Sequence, residues 1–192
     1  MSDLKRDVIK ISLLGNQAVG KTTIRNVFLN LDYNENSLST VGVNKTDTVL
    51  KLDDGNEIKL VIWDTAGQER FHSISLSTVK NSQGVILVYD VTNKQSFDDL
   101  KIWLDGIKDS TDKVSIILFG NKCEMEKRAV SKDEAKKFAK EHKIPYIETS
   151  AKQNININEG FKQVANDAYK KYGIANGVKL KNKKKKKKGG FC

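Results

Sequence analysis

The octapeptide GNQAVGKT, residues 15–22, follows the apolar run VIKISLL at 8–14 and opens a helix-like segment at 21–30. A glycine-bracketed turn that passes straight from a strand into a helix commits the chain to a strand–loop–helix unit. Glycines let backbone N–H groups converge on one point, and the helix N-terminus adds its partial positive charge. Gly-x-x-x-x-Gly-Lys-Thr in that setting marks a phosphate cradle. Gly15, Gln17, Ala18, Val19, Gly20, Lys21, Thr22 and Thr23 are its candidate residues. Lys21 is expected to reach the outer phosphates, and the Thr22 hydroxyl to ligate Mg²⁺. Gln17 is the odd letter, a bulky amide in a loop that favours small residues.

Further apolar runs at 48–52, 58–63, 84–90, 114–120 and 145–148 read as strands. Those at 84–90 and 114–120 are apolar almost throughout, as in parallel strands buried on both faces. Asp54-Gly55 between the second and third runs is a hairpin signal, which makes those two strands antiparallel neighbours. Helical patterns fall at 21–30, 95–109, 131–141 and 157–172. Ser131 followed by Glu134 has capping-box spacing. The expectation is an α/β fold: a doubly wound, mostly parallel six-stranded sheet with one antiparallel strand, binding its ligand at the carboxyl ends of the strands. Two stretches, 31–45 and much of 65–83, read as long irregular segments, which in a compact domain are functional or mobile.

The formal net charge of +10 is local, because eight lysines and no acid lie from Lys179 onward. The body is therefore close to balance, so a basic tail is indicated and a general nucleic-acid-binding surface is not. Residues 1–173 are expected to form one nucleotide-binding domain, and 174–192 a disordered tail. No apolar run is long enough to span a bilayer, and MSDLKRDVIK has no signal-peptide h-region. Cys123 and Cys192 are too few for a disulfide framework, so a reducing intracellular setting is expected.

Three downstream segments narrow the nucleotide. In 63-WDTAGQER-70, Asp64 can hold Mg²⁺ through water and the Gly67 N–H can meet a γ-phosphate. In 121-NKCE-124 and 149-TSAK-152, a carboxylate facing the base can accept from the N1–H and 2-amino group of guanine, which adenine lacks. A wrong base leaves such buried groups unpaired, so the discrimination is large. Lys122 and Lys152 can lay their stems along the base, Asn121 can brace the loops, and Ser150 and Ala151 complete the pocket.

On GNQAVGKT, STVGV, WDTAGQERF, VYDVTNKQSF, NKCE and ETSAK, the chain resembles the Ras superfamily of small GTPases over about residues 8–172. Within it, the full WDTAGQERF and VYDVT followed by SF resemble the Rab family. The resemblance implies the P-loop NTPase fold of small G proteins and a GTP/GDP switch with Mg²⁺ on the cytoplasmic face of an intracellular membrane, cycling with the cytosol. It also implies an exchange factor, a GTPase-activating protein, a GDP-dissociation inhibitor or escort protein, and effectors. Residue by residue, Thr40 falls where the first switch senses Mg²⁺ and the γ-phosphate, and Tyr33 where an aromatic packs on guanine. Gln68 falls where a glutamine orients the attacking water. Hydrolysis then needs the water held in line and phosphoryl charge stabilised, which assigns Gln68, Thr40, Gly67 and Lys21 to catalysis.

Four departures from the family pattern stand out. Glu124 replaces aspartate in Asn-Lys-x-Asp; the extra methylene either weakens guanine affinity with preference retained, or is absorbed by the loop. Asn44 and Lys45 replace Asp-Phe, and 77-STVK-80 replaces a tyrosine-bearing segment, so of the effector-facing aromatic triad only Trp63 remains. The chain ends GGFC, with a single Cys192 as prenylation site and Lys183–Lys188 as the second, electrostatic signal for an anionic membrane. A nuclear-import or nucleic-acid tail is the other reading of those lysines. Gln17 stands where the resemblance expects glycine, serine or alanine beside the γ-phosphate. It either slows turnover, above all assisted turnover, or points to solvent and does nothing. Competing readings are a hydrolysis-poor, GTP-loaded scaffold that recruits effectors to membranes, a small-molecule kinase, and a nuclear-transport GTPase. The kinase leaves NKCE and TSAK unexplained, and the nuclear-transport type lacks a lipidated cysteine.

Overall fold

Alternation along the strands decides how the two faces of the sheet are filled. On β1 (Asp7–Leu14), Ile9, Ile11 and Leu13 face one side and Leu14 joins the core on the other. On β4 (Gly84–Asp90), Ile86 and Val88 share the first face, while Val85, Leu87 and Tyr89 share the second. All seven β4 residues are buried, as strands covered by helices on both sides require. A computed structural model describes residues 7–31, 42–65 and 72–172 of the chain.

The sheet has six strands in the order β2 (Val43–Lys51), β3 (Glu57–Thr65), β1, β4, β5 (Ser115–Asn121) and β6 (Tyr146–Glu148). Only the β2–β3 pair is antiparallel. Its turn is the expected hairpin: Gly55 has φ +88°, and the Asp54 carboxylate accepts from the Asn56 N–H at 3.0 Å. Helices α1 (Lys21–Phe28) and α6 (Ile157–Tyr172) cover the first face, where Phe28 stacks on Phe161 at 3.9 Å between ring centroids. Helices α3 (Lys94–Asp98), α4 (Leu100–Ser110) and α5 (Lys132–His142) cover the second, around Tyr89, Phe97, Trp103 and Leu104. This is the doubly wound, mostly parallel architecture read from the sequence.

Three local expectations change. The stretch 65–83 contains a helix, α2 (His72–Val79), whose serine- and threonine-rich composition hides any apolar period. Ser12 on β1 anchors it, meeting the Thr78 hydroxyl at 2.8 Å. Strand β2 begins at Val43, not 48, because its first residues pair with β3 through the backbone while exposing polar side chains. The segment read as one helix at 95–109 is two, divided at Asp99, which keeps helical dihedrals of φ −72° and ψ −9°. At α5 the Ser131 hydroxyl accepts from the Glu134 N–H as the capping signal requires. The Glu134 carboxylate accepts from Lys94 Nζ at 2.6 Å.

Candidate nucleotide site

Every described loop of the site leaves the carboxyl end of a strand. The first is Gly15–Gly20, between β1 and α1. Gly15 has φ +135°, and a Cβ built there would sit 2.1 Å from the Val88 carbonyl oxygen. Gly20 has φ +97°, with a Cβ meeting Asn121 Nδ2 at 2.4 Å. Only glycine allows the loop to pack this closely on its neighbours. Val19 is buried, Ala18 is exposed at φ +62°, and Gln17 is exposed at the rim. Gly20 gives α1 no side-chain cap.

Lys21 opens α1 and folds back over the loop, its Nζ donating to the carbonyls of Gly15 and Asn16 at 2.7 Å each. The side chain is 6% exposed. Burial lowers its pKa to about 8, and the neighbouring Asp64 carboxylate opposes that shift. Thr22 and Thr23 follow on the first turn, half-buried. The Thr22 hydroxyl donates to Asp64 Oδ2 at 2.7 Å.

Asp64, near the end of β3, is fully buried. Burial raises its pKa, against the pull of Thr22, Arg25 and Lys21. Its Oδ1 has no partner among the described residues. A buried carboxylate acceptor beside a hydroxyl suits a hard, water-carrying cation such as Mg²⁺.

The third and fourth loops follow β5 and β6. Asn121, 1% exposed, donates from Nδ2 to the Val19 carbonyl at 2.9 Å. Its Oδ1 accepts from the Thr149 hydroxyl and from the Ala151 N–H, both at 3.3 Å. One side chain thus ties the phosphate loop to both downstream loops. Lys122, at φ +64°, lies along the loop with its Nζ 3.0 Å from the Ala18 carbonyl and 2.6 Å from Asp90 Oδ2. Glu124 is half-buried, and its Oε2 is enclosed without a partner among the described residues. That is the acceptor a guanine edge requires. Ser150 is buried, its hydroxyl accepting from the Gln153 N–H at 2.9 Å; Ala151 is buried and Lys152 exposed.

Of the residues singled out in the sequence, the structure gathers Gly15, Gln17–Thr23, Asp64, Asn121, Lys122, Glu124 and Ser150–Lys152 at the carboxyl end of the sheet. Tyr33, Thr40, Gly67, Gln68 and Cys192 lie outside the described residues, as do Lys183–Lys188 and residues 1–6 and 174–192 of the expected domain division. Sequence reasoning missed Asn16, which donates to Asp99 Oδ2 at 2.5 Å and accepts from Trp103 Nε1 at 2.8 Å. It also missed Asp90, whose position at the end of β4 was the available signal, and Arg25, for which no signal existed.

The Ras family profile matches residues 10–170. The chain is 41% identical over 180 residues to the Ras-related protein Rab-13 of Bos taurus, covering 93% of this chain and 87% of that one. It is 43% identical over 166 residues to Rab-10 of Diplobatis ommata, covering 85% of this chain and 82% of that one.

The chain is a Rab-family small GTPase.

It binds guanine nucleotide and hydrolyses GTP, and the family's role in vesicle traffic is its role. No helix among the described residues is long and apolar enough to cross a membrane. The GTPase is a divergent one on β2 and α2, where the sequence departs from the family pattern. Asn44 and Lys45 are exposed on β2, Lys45 standing opposite Trp63 in register, and Thr78 turns its hydroxyl to Ser12. The surface around Trp63 thus carries Lys45, Asp47 and Lys59, with Lys59 Nζ 2.6 Å from the Asp47 carboxylate.

Proposed function

We propose that this GTPase holds its nucleotide between two buried carboxylate oxygens that have no partner among the described residues, Asp64 Oδ1 at the metal end and Glu124 Oε2 at the base end. The observation that carries the reading is Asn121, which ties the loop before α1 to the loop after β6, while Thr22 at the start of α1 reaches Asp64. The phosphate loop N–H groups and Lys21 would cradle the phosphates. Thr22 and Asp64 would hold Mg²⁺, with Thr40 joining them. Mg²⁺, when bound, neutralises phosphate charge and orients the transferred group. Gln68 would position the attacking water, Gly67 and Thr40 would sense the γ-phosphate, and Tyr33, Lys122, Lys152, Ser150 and Ala151 would enclose the base. Nucleotide bound against Lys21 would bring anionic oxygens to an ammonium that burial disfavours, and so favour its charged form.

The switch would be driven by an exchange factor and a GTPase-activating protein, and extracted by a GDP-dissociation inhibitor or escort protein. It would sit on the cytoplasmic face of an intracellular membrane through prenylated Cys192 and Lys183–Lys188, cycling with the cytosol. Effectors would differ from those that read an aromatic surface, since Lys45 offers no apolar anchor.

Turnover is the quantity on which Gln17 bears. The residue is exposed at the loop, on the rim that an activating protein must approach. A displacement of about 1 Å there costs ~100-fold in rate. Single-turnover hydrolysis of preloaded GTP is therefore expected to be faster in Gln17→Ser than in the wild type, most of all with an activating protein present. Equal rates would refute the role of Gln17. Wild-type protein that holds GTP unhydrolysed, with Gln17→Ser equally inert, would favour the scaffold reading.

A further inference from the structure

The Mg²⁺ end of the site already contains a fixed cation. Arg25 lies one turn beyond Thr22 on α1, on the same helix face. Its Nη1 is 3.2 Å from Asp64 Oδ2, the oxygen that also accepts from Thr22. The guanidinium is held from the other side by Asn26, whose Oδ1 accepts from Nη2 at 2.8 Å and from Nε at 3.2 Å. The Arg25 side chain is 14% exposed and the Asp64 side chain 0%. The guanidinium brings a positive charge against the buried carboxylate. Partly buried charges are poorly screened by salt.

We propose that Arg25 weakens this GTPase's hold on Mg²⁺ and makes nucleotide retention less dependent on the metal. The inference rests on the proposed assignment of Thr22 and Asp64 to the metal. Asp64 then has one oxygen, Oδ2, engaged by the chain and one, Oδ1, left for a metal-bound water. The carboxylate's single negative charge is shared between a resident cation and a visiting one. Repulsion between guanidinium and dication adds to that sharing. In the metal's absence Arg25 keeps Asp64 neutralised, so the buried carboxylate does not repel the nucleotide phosphates. Magnesium would stabilise bound nucleotide less here than in a site without the arginine. Arg25 acts through Asp64 and is a positioning residue in this role.

The test measures release of a fluorescent GDP from the full chain as Mg²⁺ is titrated, for wild type, Arg25→Met, Arg25→Gln and Arg25→Lys. The two neutral variants guard against either one disturbing α1, and the lysine variant keeps the charge. The Mg²⁺ concentration that half-slows release is expected to fall by about tenfold or more in the neutral variants. In the same variants, release without metal is expected to be faster than wild type, and Arg25→Lys is expected to stay near wild type. The same half-slowing concentration in all four proteins overturns the role of Arg25 and leaves the metal assignment intact. A lysine variant that behaves like the neutral ones overturns the charge argument. Release that ignores Mg²⁺ in every protein overturns the metal assignment together with this proposal.

Discussion

Asn121→Ala is expected to release bound GDP about a hundredfold faster than the wild type, equivalent to ~2.8 kcal/mol, and to lower the melting temperature as well. The two effects share a cause. Asn121 joins the Val19 carbonyl, the Thr149 hydroxyl and the Ala151 N–H, and it is almost fully buried. Truncation leaves polar groups in the interior without this partner, at about 1–3 kcal/mol for each that finds no water. It also unties the phosphate loop from the loops that follow β5 and β6. Thr149→Val removes only one long contact, at 3.3 Å, and is expected to behave nearly as wild type. Fluorescent-GDP release and thermal unfolding of the two variants check this together. An Asn121→Ala protein with wild-type release would show that the brace does not organise the site.

Gly15→Ala is expected to destabilise the protein by roughly 2–6 kcal/mol, since it combines a disallowed dihedral with a collision. The backbone there has φ +135°, and the new methyl would press on the carbonyl oxygen of Val88 in the centre of the sheet. Backbone at a fully buried strand has nowhere to move, so the loop itself must shift, and with it the Gly15 carbonyl that Lys21 holds. Gly55→Ala is the matched control. It also has positive φ, at +88°, but nothing lies within 4 Å of the added carbon. Strain alone then costs about 1 kcal/mol. Denaturant unfolding of both variants separates clash from strain. Equal losses would mean that the contact with Val88 relaxes freely.

What the sequence disclosed and what it hid have physical reasons. Strand periodicity and the position of charged or glycine-rich segments at strand ends are local patterns, so the sheet, the phosphate loop and the NKCE and TSAK loops could be read directly. Asp64 was legible because a charged residue closes an apolar run. The Asn16 clamp was not, because its partners Asp99 and Trp103 lie 83 and 87 residues away. Helix α2 was hidden by serine and threonine, which favour turns in isolation but here are fixed by Ser12 from β1. Arg25 reads in sequence as an ordinary solvated helix residue. Only the approach of α1 to the end of β3 makes it a neighbour of Asp64.

The most direct test of the account is competition for the site in the intact wild-type protein. Labelled GDP is bound, and unlabelled GTP, GDP, ATP and ADP are titrated against it in the presence of Mg²⁺. Displacement is expected by both guanine nucleotides near stoichiometric amounts and by neither adenine nucleotide at about a thousandfold excess, because Glu124 Oε2 then lacks its donors. Glu124→Asp is predicted to keep that order and bind GDP equally or more tightly. Displacement by ATP as readily as by GTP would contradict the account.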